Sequence, residues 1–218
     1  MTRKKKVWLS VLLLVGGSTL PACLTGCSTS DATAQSESGR RPVTANGMTM
    51  QPGATYNAQG ELIRPAKYRE WIFIGAPVTP NDMNEGHAAF PEFHNVYIDP
   101  ASYATYQRTG RFAEGTVILK ELVSVGSKKM DSGHGYFQGE FVSLEAMVKD
   151  TTRFRNEPGG WAFFRFGDAP DYAPVGARMK TESCNACHSG ANEDYVFTAT
   201  YPVLRAARPR MTSQPVRK

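Results

Sequence analysis

Thr116-Val-Ile-Leu-Lys-Glu-Leu-Val-Ser-Val125 is the stretch that decides the fold. Aliphatic and β-branched side chains dominate it, which is the composition of a strand. Successive side chains of a strand point to opposite faces, so Ile118, Lys120 and Leu122 share one face and Val117, Leu119 and Glu121 the other. The face that carries Lys120 is therefore not self-evidently the solvent one. Working outward, Glu70-Trp-Ile-Phe-Ile-Gly75 and His94-Asn-Val-Tyr-Ile-Asp99 read as further strands, the second stopped by Asp99-Pro100. A short helix is expected over Tyr103–Gly110, with Ser102 as its N-cap. Tyr136–Val142 is aromatic-rich, and Gly139 within it suggests a bulge or a close backbone approach. Leu144–Val148 either continues that strand or forms a turn of helix. Gly160–Phe166 is the last clear strand. Neighbouring strands with short connections predict an α+β domain, mainly antiparallel sheet, with a few short helices after Pro100 and around residue 184.

Near the end of the chain stands Cys184-Asn-Ala-Cys-His188, the attachment pattern of a c-type haem. Two thiols two residues apart can each add to a porphyrin vinyl group, and the following imidazole can reach the iron as proximal ligand. This predicts one covalent haem c per chain, bound by Cys184, Cys187 and His188. Three other readings stay open: a disulfide, half of a zinc site, or a C-x-x-C redox pair. Zinc needs about four N or S ligands, and the further histidines are the scattered His87, His94 and His134. The methionines of the domain (Met83, Met130, Met147 and Met179) all precede the motif, so within the domain no downstream Met offers a second axial ligand.

The N-terminus points to export. Arg3, Lys4, Lys5 and Lys6 precede a short apolar run, Val7–Val15, which reads as a signal peptide over 1–26. Leu24-Thr-Gly-Cys27 resembles a bacterial lipobox, implying cleavage before Cys27 and its lipidation; an ordinary signal with an idle cysteine is the other reading. Ser28 in place of Asp favours the outer membrane, if the cell has one. The expectation is a periplasm-facing lipoprotein, held to the membrane only through its lipid. The four cysteines are then accounted for: Cys23 leaves, Cys27 takes lipid, and Cys184 and Cys187 take haem. Removing the four signal-peptide cations from the formal charge of +5 leaves +1, so nothing argues for nucleic acid. Residues 27–66 are rich in small polar side chains and read as a flexible tether, residues 67–207 as the single haem domain, and 208–218 as a disordered tail.

Several blocks in order carry a family resemblance: Tyr68-Arg-Glu-Trp71, Phe93-His-Asn-Val-Tyr-Ile-Asp-Pro100, Gly115-Thr-Val-Ile-Leu-Lys-Glu121, Gly135-Tyr-Phe-Gln-Gly-Glu-Phe141, Trp161-Ala-Phe-Phe164 and the Cys-Asn-Ala-Cys-His motif. Over about residues 68–206 the chain resembles the cytochrome P-460 family, which includes the cytochromes c′-beta. The resemblance implies an antiparallel sheet, commonly a homodimer, and a five-coordinate haem open to small nitrogenous ligands. In the P-460 branch it implies hydroxylamine oxidation and a lysine bonded to the porphyrin rim, for which Lys120 is the matching residue. In the c′-beta branch it implies nitric oxide binding without that bond. The oxidase branch also uses a distal carboxylate, expected near residues 177–180. Ala177-Arg-Met-Lys180 departs from that pattern, leaving Asp171 or Glu182 as substitutes. Arg165 and Arg178 are surface side chains or donors to a distal ligand. His94 and His134 suit polar surface or hydrogen-bonded sheet positions. Phe137, Phe141 and Phe163 are expected to form an apolar distal wall that favours uncharged ligands. The expected function is redox chemistry on hydroxylamine or nitric oxide, with electrons passed to a partner cytochrome; non-enzymatic nitric oxide binding and simple electron transfer are the alternatives.

Overall fold

Seven strands pair into one antiparallel sheet in the computed structural model: β1 Leu62–Ile63, β2 Ile72–Gly75, β3 Phe93–Ile98, β4 Val117–Val125, β5 Gln138–Lys149, β6 Trp161–Asp168 and β7 Val175–Arg178. From β2 to β7 each strand pairs with the next, while β1 joins the far edge beside β7, giving the order β1-β7-β6-β5-β4-β3-β2. Among the described residues three α-helices stand beside the sheet, α1 Pro100–Thr109, α2 Thr181–His188 and α3 Pro202–Ala207. This is the expected α+β architecture. The structure describes residues 53–209 and, before them, a ladder of Thr44–Ala45 with Met48–Thr49. The expected signal peptide, Cys27, the tether up to residue 52 (that ladder apart) and the tail from 210 lie outside the described residues.

β4 lies in the interior of the sheet, between β3 and β5. Val117, Leu119 and Glu121 are buried on one side, and Ile118 and Leu122 on the other. Each such aliphatic side chain contributes about 1.5–3 kcal/mol on burial, which is why the run reads as strand with no solvent face. Leu144–Val148 continues the strand before it, because Leu144, Ala146 and Val148 fill the same face as Leu119. Gly139 lies where the β4–β5 register shifts; a Cβ there would come within 2.7 Å of Ser124 Oγ and 3.1 Å of Gly126 Cα. Both strands approach too closely for a side chain, as its position suggested.

Three boundaries differ from the sequence reading. The N-cap of α1 is Asp99, not Ser102: Asp99 Oδ1 accepts the Ser102 backbone N–H at 2.9 Å, and Pro100 takes the first turn. The helix ends where expected, at Gly110 with φ 68°. Gly160–Phe166 is not the last strand, since β7 follows it and pairs with β6 and β1. Packing also begins before residue 67, with Ala54 and Leu62 both buried in the core.

The sheet has two unlike faces. On one, Leu62, Tyr68, Leu119, Leu144, Phe164 and Phe166 form a core. On the other, Ile98, Ile118, Met147, Trp161 and Phe163 pack with Tyr106 of α1, Leu204 of α3 and Cys184 of α2. The second is called the helical face below.

Candidate functional site

α2 carries the whole cysteine motif, so Cys184 neighbours both Cys187 and His188 at helical spacings of three and four. The Cys184 side chain packs against the helical-face core, and Cys187 is exposed; both thiols are free. Burial pushes the Cys184 thiol pKa upward, and the Glu145 carboxylate adds to the rise.

The His188 ring is held on both sides. Its centroid lies 4.9 Å from Phe163 and 5.1 Å from Phe197. Nδ1 lies 2.8 Å from the Tyr195 carbonyl oxygen. A carbonyl only accepts, so Nδ1–H donates and Nε2 keeps its lone pair, the arrangement of a metal-ligating imidazole. Burial pushes the His188 pKa below its ordinary value; the Tyr195 bond opposes this, and Lys120 adds to it.

Across the sheet, Val96, Lys120, Glu145 and Arg165 stand in register on β3, β4, β5 and β6. Lys120 Nζ pairs with Glu145 Oε2 at 2.8 Å, and Arg165 Nη1 with Glu145 Oε1 at 3.1 Å. Arg165 Nη2 reaches on to Asp168. The Lys120 ammonium also sits 4.1 Å from the centroid of Phe90, whose ring meets His94 edge-on at 5.8 Å. Lys120 and Glu145 act electrostatically on both Cys184 and His188, which places the ion pair on the side of the sheet that α2 covers.

The next row, His94–Leu122–Ser143, is unusual for its orphans. His94 Nε2 and Ser143 Oγ are buried without a partner, as are Thr181 Oγ1 and Asn185 Oδ1 on α2. Each such atom costs about 1–3 kcal/mol unless something satisfies it, so their grouping on one row and one helix marks a place shaped for a bound group. Of the two places expected for it, His94 takes the hydrogen-bonded sheet position, with a bond to the Phe90 backbone, and not the polar surface. Burial, then Lys120, pushes its pKa down to about 4.

A family model for cytochrome P460 matches residues 65–198. The chain belongs to the cytochrome P460 family. A search of curated proteins finds no match to it. Cytochrome P460 proteins bind haem of the c type, and this member is a haem-binding cytochrome. The residues present fit that group: two free thiols and a lone-pair Nε2 on one helix, against a face with unpartnered polar atoms. Among the described residues no three His, Cys, Asp or Glu side chains converge as a metal-ion site, so the structure adds nothing to the zinc reading.

The structure redistributes the expected distal residues. Phe163 touches His188 itself. Phe141 lies under the Arg69 guanidinium at 4.5 Å, beside a cavity on the opposite face that Asp171 also lines. Phe137 is half-buried at the base of the β4–β5 hairpin, bonded to Gly126 and Ser127. These three form no common wall. Arg178 pairs with Glu157 and stacks over Phe154, away from the motif, and His134 and Glu182 are exposed. In the 177–180 window, Met179 packs on the helical face. Sequence reasoning missed Glu145 and Phe90. Glu145 was legible in principle, because a strand reading of 144–148 puts it opposite the buried Leu144 and Ala146.

Proposed function

We propose that this cytochrome carries one covalent haem c, with thioethers from Cys184 and Cys187 and His188 as axial ligand, and that it performs redox chemistry on hydroxylamine or nitric oxide. The observation that supports this most is the His188–Tyr195 bond, which holds Nε2 unprotonated beside the two thiols. When bound, the haem supplies the iron centre at which a small nitrogen species is held and electrons are exchanged. Phe163 and Phe197 fix the ring plane of His188, and the apolar face beneath excludes water. Electrons would pass to a partner cytochrome, and the protein would stand as a lipoprotein on Cys27, facing the periplasm and paired as the homodimer that the family resemblance implies.

The test is expression with the haem c maturation machinery. The haem is expected to stay with the denatured wild-type chain and to be released from Cys184→Ala/Cys187→Ala. Turnover of hydroxylamine with a one-electron acceptor then supports the redox reading, and its absence from a fully loaded protein overturns it. Radiolabelled palmitate incorporation, lost in Cys27→Ser, tests the anchor. A second reading, nitric oxide binding without turnover, is favoured by the missing carboxylate over Ala177–Lys180 and by the engagement of Lys120 with Glu145.

A further inference from the structure

A lysine on an interior strand of a packed sheet needs a reason to be there. Lys120 is 24% exposed and its partner Glu145 11%, so neither is a solvated surface charge. Desolvating such a pair costs about as much as it returns, and aliphatic side chains would fill the same row with less difficulty.

The row has a direction. Lys120, Glu145, Arg165 and Asp168 alternate in sign. They balance overall, but the negative end is Asp168, 70% exposed at the rim. The positive end is Lys120, inside, next to Phe90 and His94. His94 adds no negative charge there. Among the described residues Glu145 is the acid that pairs with Lys120, and Arg165 already shares it. An ammonium has three donors in all. Glu145 accepts one and the Phe90 ring faces another, which leaves a donor for a further acceptor on the helical face.

We propose that Lys120, aimed by Glu145 and Phe90, donates a hydrogen bond to a small anionic ligand on the helical face, so that anions such as nitrite or azide gain a contact there that a neutral diatomic does not. The inference rests on the haem reading above and goes beyond it by adding a ligand class, small anions, to the uncharged hydroxylamine and nitric oxide. It also opposes a bond from Lys120 to the porphyrin rim. Such a bond would remove the ammonium and take from Glu145 one of its two cations in a place with little water to replace it.

The experiment uses the full holoprotein. Nitrite and azide are titrated against the ferric Soret band, and carbon monoxide against the ferrous band. Lys120→Met is expected to weaken anion binding by about tenfold or more, the usual worth of a charged donor, and to change carbon monoxide affinity by less than about threefold. Lys120→Arg, which keeps a cationic donor, is expected to restore most of the anion affinity. Glu145→Gln, which loosens the lysine, should fall between. Should Lys120→Met fail to fold, Glu145→Gln and Phe90→Leu must show the same anion-selective loss. Intact mass of the wild type should equal chain plus haem with no further loss of hydrogen.

A mass deficit assigned to Lys120, or equal changes for anions and carbon monoxide, overturns the inference and leaves the haem reading standing. A wild-type protein with no Soret band after maturation overturns both.

Discussion

The ring of His188 is bonded to the backbone of Tyr195, Nδ1 to carbonyl oxygen, at 2.8 Å. The carbonyl is presented by a loop in which Asp194 and Tyr195 both have positive φ, 45° and 63°. Non-glycine residues adopt that conformation only when their surroundings enforce it. Lys149 Nζ and the Trp161 indole N–H both bond Asp194, and Gly159 lies directly under the Tyr195 ring.

Gly159 is therefore the first position to change. A Cβ there would lie 2.6 Å from the Tyr195 ring, on a backbone with φ +63°. Gly159→Ala is expected to cost about 1–3 kcal/mol and to shift the ferric spectrum as the carbonyl moves off His188. Urea denaturation and the Soret position check this together. An unchanged midpoint with an unchanged spectrum would show that the loop does not set the ring.

Glu121 anchors the opposite face. It is fully buried, accepting from the Tyr68 hydroxyl at 2.6 Å, from Arg69 at 2.5 and 3.2 Å, and from Tyr172 at 3.3 Å. Burial first, and then the carboxylate, pushes the Tyr172 hydroxyl up to about 12. Glu121→Gln leaves Arg69 without its anion and is expected to lower stability by about 2–4 kcal/mol. The haem spectrum should stay as it is, because Lys120 faces the other way. A spectral change of the size seen on altering Lys120 would contradict that separation.

His94 gives a pH signature. Its folded pKa, about 4, lies below the ordinary 6.5. As pH falls from about 6.5 to about 4, the unfolded chain binds the proton and the folded one does not, so stability drops across that window, by about 3 kcal/mol in full. Above about 6.5 His94 contributes no pH dependence. Chemical denaturation at stepped pH should show this slope in the wild type and a shallower one in His94→Gln. Parallel curves for the two proteins would reject the assignment.

Asp99 ties α1 to β4. Oδ1 accepts the Ser102 N–H and Oδ2 the Val117 N–H, each at 2.9 Å. Asp99→Ala removes a helix cap and orphans a buried strand donor, for an expected loss of about 2–3 kcal/mol. Asp99→Asn, which keeps one acceptor, should lose less. Thermal midpoints that rank the two variants the other way would count against this account.

Long runs were legible in the sequence because their side chains are chosen by burial on both faces; β3, β4 and β6 fall within two residues of where composition puts them. β1, β7 and α3 were not. β7 is only Val175-Gly-Ala-Arg178, too short and small for alternation to show, and it becomes a strand through its partners. In the site, the haem motif and the face of Lys120 could be read locally. Glu145 could not be joined to Lys120, since their meeting depends on which strands pair and in what register. Phe90 reaches the lysine from a loop, where no periodicity points.

β1 meets β7 through two residue pairs only, Ile63 with Val175 and Leu62 with Gly176. A pull entering the domain from its N-terminal side would meet Ala54 first, whose N–H bonds to the Gly115 carbonyl at 3.3 Å, and would then load this edge strand. The two pairs would unzip one after another, while β5 and β4, each clasped along most of its length, lie three and four strands inward. Once the Ala54 bond has let go, β1 is a mechanical fuse: it can peel and re-anneal without further tension reaching the strands that hold Lys120 and Glu145.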